Sequence, residues 1–231
     1  MDRVTKHHPT EDAAGPRTAE PRRDYLPAAG RDALLPFYDL FTAVLGVRAL
    51  HRTLIGQAGL RPGQRVLEIG SGTGNLSVRV KRTHPGVEVI GSDPDPRALA
   101  RAQRKARRLD GIRFERGYAQ RLPYPDASFD RVLSALMLHH LDHDARVAAA
   151  AEVARVLRPG GSLHLVDITG QMHGAHGFLT RRAVESGHLA DNVDGGIPRL
   201  FGAAGLDCAE VTAQRHRVMG QVTYYRAAHP A

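Results

Sequence analysis

One stretch constrains this chain more than any other: Val66-Leu67-Glu68-Ile69-Gly70-Ser71-Gly72-Thr73-Gly74. A short apolar run carries a carboxylate near its end, and three glycines at alternate positions follow before a helical pattern opens at Asn75. Glycine has no Cβ, so such a loop turns tightly and lets a ligand approach its backbone. Free N–H groups at the start of the next helix attract an anion or carboxylate. In open α/β sheets ligands bind at the carboxyl ends of strands, where this loop would lie.

The residues beyond it alternate between strand and helix patterns. Strands are expected at Val66–Ile69, Val87–Ile90, Ile112–Glu115, Arg131–Ser134 and Ser162–Ile168. Helices are expected at Asn75–Thr83, Arg97–Leu109 and from about Asp144 to Leu157, where Arg158-Pro159-Gly160-Gly161 ends the helix. Ile197–Ala204 reads as a last helix, and Ala209–Gln214 with Gln221–Ala227 as a closing antiparallel pair. Alternation of this kind implies a parallel sheet covered by helices on both faces. Tyr224 and Tyr225 alternate faces on the final strand, so at most one is expected to point inward.

The chain divides into three parts. Residues 1–24 mix Pro, Arg, Glu and His with little to bury and read as a disordered arm. Residues 25–60 repeat Leu, Phe, Val and Ile at spacings of three and four, broken by Pro36 and Gly46, and read as a helical lid. Residues 61–231 form the α/β domain, with a Gly- and His-rich insertion at about 169–196 over the mouth of the sheet.

Composition excludes several classes. The chain has 231 residues, enough for one α/β domain with appendages. Cys208 is the only cysteine, so neither an internal disulfide nor a thiolate metal cluster can form, and a reducing cytoplasm is the simplest compartment. No apolar run approaches the roughly 18 residues of a membrane-spanning helix, and the N-terminus has no secretory h-region. The net charge is +8, which raises nucleic acid as a partner. The densest basic run, Arg97–Arg108, argues against it. Ala98, Leu99, Ala102, Ala106 and Leu109 make one apolar stripe, and the arginines fill the other face without interleaved aromatics. A homodimer is compatible with the sequence and is not fixed by it.

Two cofactors compete for the glycine loop. A nicotinamide dinucleotide wants Gly-x-Gly-x-x-Gly/Ala, and the third small position here is Asn75. Gly70-x-Gly72-x-Gly74, with Glu68 two residues ahead, fits adenosylmethionine better, since that acid can hold an ammonium through backbone or water. Asp93 ends the second strand at about the 20-residue distance where a ribose diol is gripped. Its other reading is a helix N-cap, for which Asp95 is the better candidate. Tyr118, Ala119 and Gln120 follow the third strand, placed to line an adenine edge.

Together these residues resemble the class I S-adenosylmethionine-dependent methyltransferase superfamily. The resemblance runs from about Val66 to Ile168. Beyond the glycine loop it rests on Gly91-Ser92-Asp93, Leu122-Pro123-Tyr124-Pro125-Asp126-Ala127-Ser128-Phe129-Asp130 and Leu157-Arg158-Pro159-Gly160-Gly161. It implies a Rossmann-like, doubly wound α/β fold with a seven-stranded sheet, order 3-2-1-4-5-7-6, strand 7 antiparallel. It implies S-adenosyl-L-methionine as cofactor, held by Glu68, Gly70, Gly72, Thr73, Gly74, Asp93, Pro94, Tyr118, Ala119, Gln120, Ser134 and Ala135. It also makes Asp126 and Asp130 structural. Tyr38-Asp39-Leu40 is similar to the ubiquinone/menaquinone C-methyltransferase branch, whose N-terminal helices form a lid and whose Tyr lies near cofactor and substrate. The chain departs from that branch after strand 4, where Leu138-His139-His140-Leu141 replaces an Arg-Asn pair.

Methyl transfer is an in-line displacement, and orientation alone supplies about 7–11 kcal/mol of such a barrier. A base is required only if the acceptor must lose a proton. His139 and His140, past strand 4, are the candidates; the other reading of this segment is a packing turn, with His140 or Asp142 capping the next helix. The His139, His140, Asp142, His143, Asp144 cluster lacks the spacing of a regular zinc site, so no metal is expected. The sequence thus reads as a methyltransferase acting on a small molecule, with Tyr38 on the substrate side. An RNA or protein methyltransferase and a non-catalytic cofactor-binding module are the alternatives.

Overall fold

The structure is a computed structural model that describes residues 46–169, 195–216 and 219–230. The arm, most of the lid including Tyr38, and most of the insertion lie outside the described residues.

Strand β1 (Arg65–Ile69) stands at the centre of the sheet, flanked by β2 (Glu88–Asp93) and β4 (Phe129–Ala135). With β3 (Ile112–Arg116), β5 (Leu157–Ile168), β6 (Asp207–His216) and β7 (Gly220–Ala228), the order is β3-β2-β1-β4-β5-β7-β6. The first five strands are parallel, and β7 runs antiparallel to both of its neighbours. This is the expected sheet. Its order reverses beside β1, so the loops after β1 and β4 diverge and leave a crevice at their carboxyl ends.

Helices α1 (Val47–Ala58), α2 (Asn75–Thr83), α3 (Pro96–Ala106), α4 (His143–Val156) and α5 (Gly196–Ala203) cover the sheet. Alternate strand residues feed opposite layers. Leu67, Val132 and Leu163 pack with Val153 of α4 and Phe201 of α5, whereas Val66, Leu133 and Val166 pack with Leu50 and Leu54 of α1 and Val80 of α2. Each such buried side chain stabilises the fold by about 1.5–3 kcal/mol. Because both faces are covered, Tyr224 and Tyr225 are both buried, in opposite layers, which corrects the expectation that only one points inward. On α3 the apolar stripe Ala98, Leu99, Ala102 and Ala106 is buried, against Phe114 of β3.

Arg158-Pro159-Gly160-Gly161 also differs from expectation. The helix ends at Val156, and β5 already begins at Leu157, paired with Phe129. The four residues form a bulge before Ser162 pairs with Arg131. Gly160 takes φ 75°, and a Cβ on Gly161 would lie 2.9 Å from the Arg158 carbonyl oxygen, so side chains are excluded where the strand folds back on itself. Asp130 holds the start of the sheet together by accepting from the Arg65 amide at 2.7 Å and from Arg158 at 2.9 Å. Asp126 pairs with Arg155 of α4 at 2.7 Å.

Candidate active site

The loop from Gly70 to Gly74 is built by backbone bonds that only this sequence permits. The amides of Gly70 and Ser71 both donate to the Ser92 carbonyl, at 2.9 and 3.0 Å, which locks the loop onto β2. Three residues take left-handed backbone: Gly70 (φ 70°), Gly72 (φ 51°) and Gly74 (φ 77°). Their surroundings differ. A Cβ on Gly70 would fall 2.2 Å from Met137 Cγ, and one on Gly74 would fall 2.7 Å from both Ala102 and Phe114. A Cβ on Gly72 would meet nothing within 4 Å. Gly70 and Gly74 therefore allow close packing, while Gly72 presents bare backbone to open space.

Two buried carboxyls flank that backbone. Asp93 Oδ2 accepts the Gly72 amide at 2.7 Å, and Oδ1 accepts the Asp95 amide at 2.9 Å. Asp95 in turn caps α3 by accepting from the Arg97 amide at 2.8 Å. Burial raises the Asp93 carboxyl above its ordinary value, against the two backbone donors. Glu68 accepts from the Ser77 amide at 2.8 Å and, by a short bond, from the Ser77 hydroxyl. Burial pushes Glu68 up to about 8, again against its donors, with the nearby Asp93 adding to the rise. The Ser77 amide in the first turn of α2 is thus met by the chain's own Glu68, near the end of β1.

A cavity of about 420 Å³ opens here, at the carboxyl ends of β1, β2 and β4. Of the expected cofactor residues, Glu68, Gly70, Gly72, Thr73, Asp93, Pro94, Tyr118, Ala119, Gln120 and Ala135 line it. Gly74 and Ser134 do not. Gly74 is committed to packing against α3 and β3, and Ser134 is buried between Ile69 and Leu165 inside the sheet. Among the described residues no cation pairs with Glu68 or Asp93. The hydroxyl of Ser71, on the cavity wall, is buried without a partner among the described residues. This donor set suits a ligand bringing an ammonium, hydroxyls and polar ring edges. A pyrophosphate would bring negative charge against the Asp93 carboxyl.

The two histidines are separated. After β4, Leu136 takes left-handed backbone (φ 56°), a conformation costing about 1–3 kcal/mol in a residue with a side chain. The strained turn sets Met137 over Gly70 and starts a short 3₁₀ turn, Leu138–His140. His140 lines the cavity; His139 does not. His139 Nδ1 instead lies 2.6 Å from Asp167 Oδ1, at the end of β5, and the two imidazole rings lie 4.1 Å apart. Asp142 caps α4 by accepting from the Ala145 amide at 2.8 Å.

Three contributors escaped the sequence reading. Lys105, on the basic face of α3, donates to the Thr73 carbonyl and hydroxyl at 2.9 Å each and to Asn75 Oδ1 at 2.8 Å. His51 of α1 lines the cavity, where burial and the nearby Arg79 charge push its imidazole down to about 4, leaving it neutral at pH 7. Asp167, which in the sequence is only part of the Ser162–Ile168 strand, contacts His139. Each reaches the site across a large sequence gap, and no local pattern marks such a contact.

Comparison with known proteins agrees with this geometry. A family model described as a methyltransferase domain matches residues 66–161. The demethylmenaquinone methyltransferase of Deinococcus radiodurans is 38% identical over 153 residues, covering 64% of this chain and 63% of that protein. The demethylmenaquinone methyltransferase of Thermus thermophilus is 36% identical over 154 residues, covering 64% of this chain and 68% of that protein. The chain thus spans about two thirds of the length of these relatives. A Haemonchus contortus phosphoethanolamine N-methyltransferase, solved with S-adenosylhomocysteine, shares the fold with a TM-score of 0.72 at 16% identity, over 88% of this chain and 58% of that one. The chain belongs to the class I S-adenosylmethionine-dependent methyltransferases, near the ubiquinone/menaquinone C-methyltransferase branch. S-adenosylmethionine is the cofactor of that class.

Proposed function

We propose that this chain transfers a methyl group to a small-molecule acceptor. The observation that carries the reading is the pair of buried acids, Glu68 and Asp93, on either side of the bare backbone of Gly72. When bound, S-adenosylmethionine supplies a methyl carbon made electrophilic by its sulfonium. Asp93 has lone pairs beyond those used by Gly72 and Asp95, and these accept the ribose hydroxyls as short, charge-assisted bonds. Glu68 faces the ammonium. Tyr118, Ala119 and Gln120 border the adenine, and Pro94 and Ala135 close the walls. Gly74 and Ser134 support the loop and strand from behind.

The acceptor side belongs to His139, His140 and Tyr38 in this reading, with residues 25–60 as lid, residues 1–24 as arm and residues 61–231 as the transferase domain. The relatives, named as demethylmenaquinone methyltransferases, favour a quinone-type acceptor. The His139-His140 pair in place of that branch's Arg-Asn pair marks where acceptor handling diverges.

Calorimetric titration with S-adenosylhomocysteine and with NAD⁺ tests the reading. Stoichiometric heat with the first and none with the second supports it. The reverse pattern, or no binding of S-adenosylhomocysteine, removes it.

A further inference from the structure

Four arginines meet where α1 packs on α2. Leu50 and Leu54 of α1 share a core cluster with Leu76 and Val80 of α2, so the two helices lie side by side. Arg48 and Arg52 stand four residues apart on α1, and Arg79 and Arg82 three apart on α2, spacings that put each pair on one helix face. Arg48, Arg52 and Arg82 are exposed, and Arg79 is half-buried. Neither helix contains an acidic residue. Lys81, the other cation of α2, is engaged elsewhere and donates to the carbonyls of Pro85 and Val87 at 2.7 and 2.6 Å. Other arginines of the described residues are met by acids: Glu88 lies between Arg65 and Arg113, and Asp126 and Glu152 both meet Arg155. At the α1–α2 face nothing plays that part. Among the described residues Arg79 Nε is buried without an acceptor. Burial, and after it the charges of Arg48, Arg52 and Arg82, hold the Arg79 guanidinium below its ordinary value, with no carboxylate acting against them.

The cluster flanks the cavity without lining it. Val47 and His51 of α1 and Asn75 and Leu76 of α2 form cavity wall, and Arg48, Arg52 and Arg79 follow them within about one helical turn. We propose that Arg48, Arg52, Arg79 and Arg82 form a binding site for a phosphate group, beside the cofactor cavity and separate from it. A carboxylate brings one charge and two oxygens. A phosphomonoester brings about 1.5–2 negative charges near pH 7 and three acceptor oxygens, which several guanidinium forks share. The four side chains occupy about two turns of two neighbouring helices, a compact target for one such group. This site stands apart from the methyltransferase reading, because none of its arginines lines the cavity.

The test uses the full chain, ¹⁵N-labelled and titrated with inorganic phosphate while sodium chloride holds the ionic strength constant. The Nε–Hε signals of the four arginines are expected to shift together and to saturate. His51 is a second reporter: burial and then the Arg79 charge hold its imidazole down to about 4, so a phosphate against Arg79 is expected to raise it. Arg52→Gln, at an exposed position, and Arg79→Gln are each expected to weaken phosphate binding at least about tenfold, as the loss of a charge-assisted hydrogen bond does, with circular dichroism unchanged. Arg104→Gln removes the same charge from an exposed position on α3 and is expected to leave the affinity as it was. Flotation with vesicles of phosphatidylcholine, with and without phosphatidic acid, identifies the carrier. Saturable phosphate binding together with flotation that needs phosphatidic acid and Arg52 assigns the group to a lipid headgroup; saturable binding without flotation assigns it to a soluble molecule. Acetate shifting the arginine signals as strongly as phosphate, an equal loss of affinity in Arg104→Gln, or no saturable shift overturns the site. Capture of an RNA duplex by a chain that does not bind phosphate overturns it as well.

Discussion

Asp93 Oδ2 accepts the backbone amide of Gly72 at 2.7 Å, joining the end of β2 to the middle of the loop after β1. One carboxylate therefore fixes the loop and faces the cavity. Removing it loses a charge-assisted bond worth about 1.5–3 kcal/mol and the ligand contacts on the remaining lone pairs. Asp93→Ala is expected to weaken S-adenosylmethionine binding at least about tenfold, the equivalent of about 1.4 kcal/mol, while the circular dichroism spectrum is retained. Unchanged calorimetric affinity would falsify the role.

The glycines separate packing from access. Gly74→Ala forces a left-handed alanine, at about 1–2 kcal/mol, and drives its methyl into Ala102 and Phe114, at about 1–3 kcal/mol more. Gly72→Ala incurs only the backbone cost, because nothing lies within 4 Å of the new methyl, but that methyl projects into the ligand's space. Urea denaturation should show the larger loss in Gly74→Ala, and calorimetry should show the larger loss of affinity per unit of stability in Gly72→Ala. The opposite ranking would mean that Gly72 does not face the ligand.

The alternation of strands with helices and the glycine loop were legible because both are local, whereas the strand order followed only from the resemblance to the methyltransferase superfamily. The central strands carry short apolar runs such as Val66-Leu67 and Val89-Ile90, the Pro96–Ala106 helix carries a periodic stripe, and Gly70, Gly72 and Gly74 lie within one short loop. The rest was hidden by distance. Lys105 sits 30 residues beyond Asn75, among arginines that read as a solvated face, and only the packing of α3 beside α2 shows that its ammonium closes the loop. Asp167 reads as strand filler until β5 is placed beside the turn after β4. Ser134 shows the opposite error: its place at a strand end suggested contact, whereas the sheet buries it.

Glu68 makes stability depend on pH in an unusual direction for a carboxylate. Its folded value, about 8 through burial, exceeds the unfolded value of about 4.3, so the native chain holds the additional proton. The contribution is complete below the unfolded value, declines as the pH climbs from there, and is gone above about 8. Glu68→Gln keeps a neutral side chain at every pH. Its urea midpoint should therefore fall less than the wild type's between pH 5 and pH 9, and parallel curves for the two proteins would refute the shift.

Lys105 offers the sharpest separation of loop order from fold. Its ammonium makes three bonds to Thr73 and Asn75, at 2.8 to 2.9 Å, and so closes the end of the glycine loop from outside the cavity. Lys105 does not line the cavity, so a substitution there removes no ligand contact. Lys105→Met keeps most of the apolar stem and deletes the donors. A hydrogen bond from a charged group contributes about 1.5–3 kcal/mol, partly returned here by water at a half-exposed position. If the loop must be pre-ordered to bind, the variant should lose severalfold affinity for S-adenosylhomocysteine, through a less favourable binding entropy, and amide exchange at Thr73 and Gly74 should quicken. Affinity equal to the wild type together with faster exchange would show that the loop orders itself around the ligand and that Lys105 only steadies the empty protein.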